Sequence, residues 1–244
     1  MNEFIYTEKN PLRVCTLCSG YDSQCCALDR LGIPYELVAW SEFDSDSKSP
    51  IDKQPAVIAH NTLFPQWKDR NLGDMTKVDW SKVPDFDLLT YSTPCQSISN
   101  AGLQHGITEG SGTRSSILWS TRYAIIEKKP KYLLMENVKA LVSKKFIGEF
   151  QKWCRELESY GYTNYSKVIN ATACGVPQNR ERIFVVSILG DHKPFHFPQP
   201  IPLEKRLKDV LELEVDDKYV LSNQAIDGFL KHNEHHEEKG TGFI

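Results

Sequence analysis

Apolar, β-rich runs recur along the chain at 12–18 (LRVCTLC), 36–41 (ELVAWS), 86–91 (FDLLTY), 131–135 (KYLLM), 163–169 and 182–189 (RIFVVSIL). Between them, polar and apolar positions alternate at helical spacing over about 22–31, 52–61, 114–128 and 145–160. The segment 114–128 puts Ile117, Leu118, Ala124 and Ile125 on one side and ends at Lys128-Lys129-Pro130. This order predicts an α/β fold with a doubly wound, mostly parallel sheet. In such sheets ligands bind beyond the carboxyl ends of the strands, so the residues after each strand carry the chemical interest.

Those residues are of suggestive types. The first run opens into Ser19-Gly20-Tyr21-Asp22-Ser23, a small-residue turn into a helix where a ligand can approach backbone N–H groups. The second ends at Glu42-Phe43, a carboxylate suited to ribose hydroxyls beside a ring suited to stacking. The third ends at Pro94-Cys95-Gln96, and the fourth at Glu136-Asn137-Val138. Glu136 follows an apolar run, is expected near-buried, and therefore needs a partner or a task. Gln178, Arg180 and Arg182 alternate at strand period, which predicts that they share one face and line a cleft. A long stretch at 94–113 with Gly102, Gly106, Gly110 and Gly112 has the character of a lid.

Composition narrows the class. With 244 residues, 40% hydrophobic and 25% charged, the chain suits one large α/β domain or a domain plus a fragment. A net charge of −3 offers no strong basic field for nucleic acid, though a catalytic half can leave that field to another part. No run of about 18 apolar residues marks a membrane span. Seven cysteines without a signal peptide predict reduced thiols in a cytoplasm. Cys15, Cys18 and adjacent Cys25-Cys26 lack zinc-ligand spacing and read as buried small hydrophobes, so no metal site is expected.

Taken together, CSGYDS, SEFD, LGDM, TPCQSIS, GTRSSILW, ENV and QNRER, in that order over about residues 12–190, resemble the cytosine-C5 DNA methyltransferases. The resemblance implies a Rossmann-like, S-adenosylmethionine-dependent methyltransferase fold. It implies methyl transfer to C5 of a cytosine flipped out of duplex DNA, because a base inside the stack is out of reach. It makes Cys95 the nucleophile that adds to C6, Glu136 the group at N3, and Arg182 the group at O2. Arg180 and Gln178 then support the site or a phosphate. Asn137 positions the loop, and the glycine-rich segment 97–112 closes over the base. For S-adenosylmethionine it implies Ser19, Gly20, Tyr21 and Asp22 at the methionine end, Glu42 at the ribose, Phe43 at the adenine, Asp74 with Met75 at the adenine amine, and Pro94 lining the pocket. Asp22 departs from the family's glycine-rich first motif and adds negative charge near a cofactor carboxylate.

Two expectations concern what the matching region leaves out. Residues 1–193 read as the catalytic, cofactor-binding domain, and 194–244 as a linker and the start of a region leading to target recognition. The family continues into a target-recognition region and a Gly-Asn-rich motif that packs back on the cofactor domain. The chain is therefore expected to be a truncated form, or one part of a split enzyme whose second polypeptide supplies both. Other readings are cytosine methylation of tRNA, which the Gln96 after Pro-Cys disfavours, and a non-catalytic cofactor-binding subunit, which the presence of Cys95, Glu136 and Arg182 disfavours. A Cys-His hydrolase using His105 lacks an orienting group and leaves Glu136 without a role.

Overall fold

The computed structural model describes residues 6–98 and 106–238. Six strands form one sheet: β1 Leu12–Leu17, β2 Tyr35–Ser41, β3 Leu88–Tyr91, β4 Tyr132–Val138, β5 Tyr162–Asn170 and β6 Glu181–Leu189. Their spatial order is β2-β1-β3-β4-β6-β5. The pairs β1–β2, β1–β3 and β3–β4 are parallel, while β6 runs antiparallel to both β4 and β5. Strand order reverses at β1, with β2 added on one side and β3 on the other, which opens a crevice at the carboxyl ends of these parallel strands.

Helices cover both faces, as the alternating pattern predicts. α1 (Ser23–Leu31) and α2 (Pro55–Leu63) pack over β1 and β2, where Val14, Leu37, Trp40, Cys25, Val57 and Phe64 form one buried cluster. α3 (Thr121–Lys128) and α4 (Ile147–Ser159) cover the opposite face. There Leu89, Tyr91, Leu133, Met135, Ile125 and Trp153 belong to a second, larger cluster. Trp153 donates to the Tyr91 hydroxyl at 3.2 Å inside this core. Cys15 and Cys25 are buried as small hydrophobes, whereas Cys18 and Cys26, expected to be buried with them, are half-buried at the edges of the two clusters.

Strand period sorts the functional from the structural residues. Along β4, Leu133, Met135 and Asn137 are buried, while Tyr132, Leu134 and Glu136 face the other way and are half-buried. That second face is open beyond α1. Leu88, Leu134 and Phe184, with Ala27 and Leu31 of α1, line a broad cleft of about 890 Å³.

Some boundaries differ from expectation. β4 runs on to Val138, so Glu136 and Asn137 lie on the strand instead of after it. Its antiparallel partner β6 continues the ladder, pairing Glu136 with Phe184 and Val138 with Arg182. Residues 114–120 form a 3-10 helix before α3. Serine hydroxyls bind nearby backbone there, with Ser116 donating to the Thr113 carbonyl at 2.6 Å, which favours the tighter turn over an α-helix. Beyond Gly190, the described residues add no strand to the sheet. They are mostly exposed and include α5 (Asn223–Glu238). No helix among the described residues is long and apolar enough to cross a membrane.

Candidate active site

The sheet delivers Cys95 just past the end of β3, half-buried against the larger core cluster. Its loop is held from both sides. The buried Asn137 side chain donates to the Thr93 carbonyl at 3.1 Å, and its own oxygen accepts from the Val138 N–H at 2.9 Å. After the cysteine, the Ile98 N–H donates to the Cys95 carbonyl at 3.0 Å, and Ile98 is fully buried. The Ser97 N–H donates to the Ser115 hydroxyl at 3.1 Å, and Arg114 donates to the Gln96 side-chain oxygen at 3.0 Å. Arg114 also pairs with Asp46, tying this loop to the segment after Glu42-Phe43. Gly106 donates back to the Ser97 carbonyl at 2.8 Å with φ of 91°, a backbone shape that favours glycine. Gly102 and His105 lie outside the described residues.

Glu136 and Arg182 meet on the open face of the sheet. Glu136 Oε1 is 3.0 Å from Arg182 Nε, and its other oxygen accepts from the Ser92 hydroxyl at 3.1 Å. Glu136 was expected near-buried, but its side chain is 29% exposed, on the side of β4 that lines the open cleft. Gln178 and Arg180 line the same cleft as Glu136, yet the shared strand face predicted for them with Arg182 is not observed. β6 starts at Glu181, so both precede it in a turn that contains Pro177, which has no N–H for a ladder. Asn170 holds this turn, accepting from the Arg180 N–H at 3.2 Å.

The expected cofactor residues fall into two groups. Ser19, Gly20 and Tyr21 line the cleft that contains Glu136, Gln178 and Arg180. Phe43, Asp74 and Pro94 line a separate cavity of about 600 Å³ with Thr76, Ile117 and Trp119. Glu42 links the two ends, since its carboxylate accepts from the Gly20 N–H at 2.7 Å. Burial pushes the Glu42 carboxyl up, against the pull of that bond. Asp74 behaves oppositely. Burial raises it, but bonds from Thr76 and Lys77 outweigh this and hold it below the usual carboxylate range. Met75 is buried beneath the site, its sulfur 3.9 Å from the Cys18 thiol. Asp22 is fully buried and turned inward, so its charge does not face the cleft. Sequence reasoning missed Ser92, and it quoted Arg114 and Ser115 within GTRSSILW without giving either a role. Ser92 carried a usable signal, as a small polar residue ending a strand beside Glu136.

The sheet, with its strand order and antiparallel β6, is that of the S-adenosylmethionine-dependent methyltransferase fold. The solved structure of the S. pombe Dnmt2 methyltransferase shares it, with a TM-score of 0.65 at 20% identity over 91% of this chain and 66% of that one. Residues 12–244 match the family model for C-5 cytosine-specific DNA methylase, and the chain belongs to that family. It is 40% identical to the type II methyltransferase M2.ScrFI of Lactococcus lactis subsp. cremoris, over 88% of this chain and 71% of the relative. It is 41% identical to the orphan methyltransferase M.SssI of Spiroplasma monobiae, over 68% of this chain but 44% of that protein.

Proposed function

We propose that the chain carries the catalytic part of an enzyme that methylates C5 of cytosine in duplex DNA. The observation that carries this reading is the Ser92–Glu136–Arg182 cluster on the open sheet face, next to a cysteine loop pinned by Asn137. The N3 and O2 atoms of cytosine are neighbours on one edge of the ring. A carboxyl and a guanidinium held side by side match that edge, while Cys95 approaches C6.

In this reading Cys95 adds to C6 as the thiolate. The C5–C6 double bond opens and its electron pair moves to C5, aided by Glu136 at N3 and Arg182 at O2. After methylation C5 loses its proton, the Cys95–C6 bond breaks, and the double bond and thiolate return. Pro94 aims the cysteine by restricting the backbone before it. The target base is flipped out to reach this site.

S-adenosylmethionine supplies a sulfonium methyl group and leaves as S-adenosylhomocysteine. The residues present fit it. Phe43 is exposed for stacking, and Asp74 stays ionised to accept from an amine. Ser19 and Gly20 face the cleft where the methionine end would lie, and Glu42 suits the ribose. Gln178 and Arg180, exposed at the rim, suit the base or a phosphate.

Residues 1–193 form the catalytic unit, and 194–244 lead toward a target-recognition region. The cleft bordered by Leu88, Leu134 and Phe184 is the surface such a region would cover, and this chain spans 44% of the length of M.SssI. The test is transfer of labelled methyl groups to DNA and to tRNA, with and without a recognition region supplied. Methylated cytosine in DNA is expected; transfer to tRNA alone would overturn the substrate.

A further inference from the structure

Two fully buried ionisable side chains lie beneath the turn that carries Ser19 and Gly20, and the reaction uses neither. Asp22 and His60 are both 0% exposed, with Nε2 of the histidine 3.3 Å from Oδ2 of the aspartate and out of line for a hydrogen bond. Asp22 stands at the N-cap of α1, where an aspartate ordinarily accepts from the helix N–H groups. Here it makes no such bond. Its backbone is left-handed, with φ of 67°, which costs a non-glycine residue on the order of 1 kcal/mol. Its carboxylate turns inward instead, accepting from the Thr16 hydroxyl at 2.9 Å, and its other oxygen has no partner.

A histidine that merely filled the core would not require this. The contacts form a closed ring. His60, on α2, stacks on Trp40 of β2 with ring centroids 3.6 Å apart. Trp40 is followed by Ser41, whose carbonyl accepts from the Ser19 N–H at 3.2 Å, and by Glu42, which accepts from the Gly20 N–H. Gly20 leads back to Asp22 and so to His60. Cys18, Gly20 and Asp22 all have positive φ; Gly20 takes it freely, but Cys18 and Asp22 are strained there, so the turn depends on outside support.

We propose that His60 is a positioning residue. Through Asp22 it holds the Ser19-Gly20 turn at a set distance from the end of β2, so that the two halves of the cofactor site stay in register. This rests on the cofactor reading above.

The test uses the full 244-residue chain. His60→Phe keeps the ring on Trp40 and removes the nitrogens, while Asp22→Asn replaces one carboxyl oxygen with an amide nitrogen. Each is expected to weaken S-adenosylhomocysteine binding, measured by calorimetry, about tenfold. The double variant should be no weaker than either single one. Thr16→Val, a milder change, should weaken it less. Amide hydrogen exchange reads the turn without cofactor, and residues 19–22 should exchange about tenfold faster in both variants while β3 and β4 stay protected. Wild-type affinity and unchanged exchange at the turn, with only a lower melting temperature, would overturn the proposal. If the wild-type chain failed to bind, the cofactor reading would fall, and exchange at the turn would still decide the role of His60.

Discussion

Glu136 and Arg182 sit diagonally across the antiparallel pair β4–β6, with Oε1 3.0 Å from Nε. Strand register sets this meeting. Glu136 is opposite Phe184 and Val138 is opposite Arg182, so the two charged side chains emerge on one face, two residues apart. Ser92, from the end of β3, steadies the second carboxylate oxygen. Glu136→Gln keeps the shape but loses the proton-holding group, and methyl transfer is expected to fall about 10²- to 10⁴-fold. Single-turnover rates on DNA would show this, with cofactor affinity little changed.

Cys95→Ser is expected to lower transfer by more than about a thousandfold while leaving S-adenosylhomocysteine binding intact. A duplex with 5-fluorocytosine at the target should trap a covalent adduct on Cys95, because fluorine at C5 cannot leave as a proton. Mass spectrometry of the digested complex locates the adduct. Turnover retained by the serine variant, or an adduct elsewhere, would remove Cys95 from its role.

Asn137 joins β4 to the cysteine loop through one buried side chain. Asn137→Ala leaves the Thr93 carbonyl and Val138 N–H without their partner, a cost of about 1–3 kcal/mol. Thermal unfolding should register that cost. The turnover number should fall more than cofactor affinity, since the displaced group is the nucleophile loop.

Glu42 gives a pH signature. Its folded-state carboxyl is raised, chiefly by burial, so the folded chain holds that proton more tightly than the unfolded one. Its contribution to stability therefore falls as pH rises from the ordinary glutamate range through the raised value. Glu42→Gln removes that loss, and unfolding followed across about pH 4 to 7 should show a flatter decline in the variant. Cofactor binding should weaken at the same time. Asp74 has the opposite sign: its carboxyl is lowered, so its contribution is present above the unfolded value and is lost as pH falls.

Much of this arrangement is legible in the chain itself. The apolar runs locate all six strands, and the polar residues ending them locate the site, because strand ends are where a parallel sheet exposes side chains. Pro94-Cys95 follows a buried run, so its place at the sheet edge is predictable from local pattern. Glu136 and Asn137 are legible as polar groups at the end of the fourth run; that strand period then sends them to opposite faces follows from the longer β4.

Other features depended on partners far along the chain. β4 extends through Glu136 because β6, some 45 residues later, continues the ladder. The burial of Glu136 was overestimated because local pattern cannot tell which part of a sheet a helix covers. Gln178 and Arg180 fit strand period yet stand in a turn held by Asn170. Asp22 reads as a cofactor contact in the sequence, and only its buried contacts with Thr16 and His60 show that it faces inward. The sequence by itself determined which chemical groups stand at which strand ends, since alternation and chain punctuation are local. Tertiary structure decided which of those groups meet, because side-chain pairing depends on register, on layer coverage, and on contacts between residues distant in the chain.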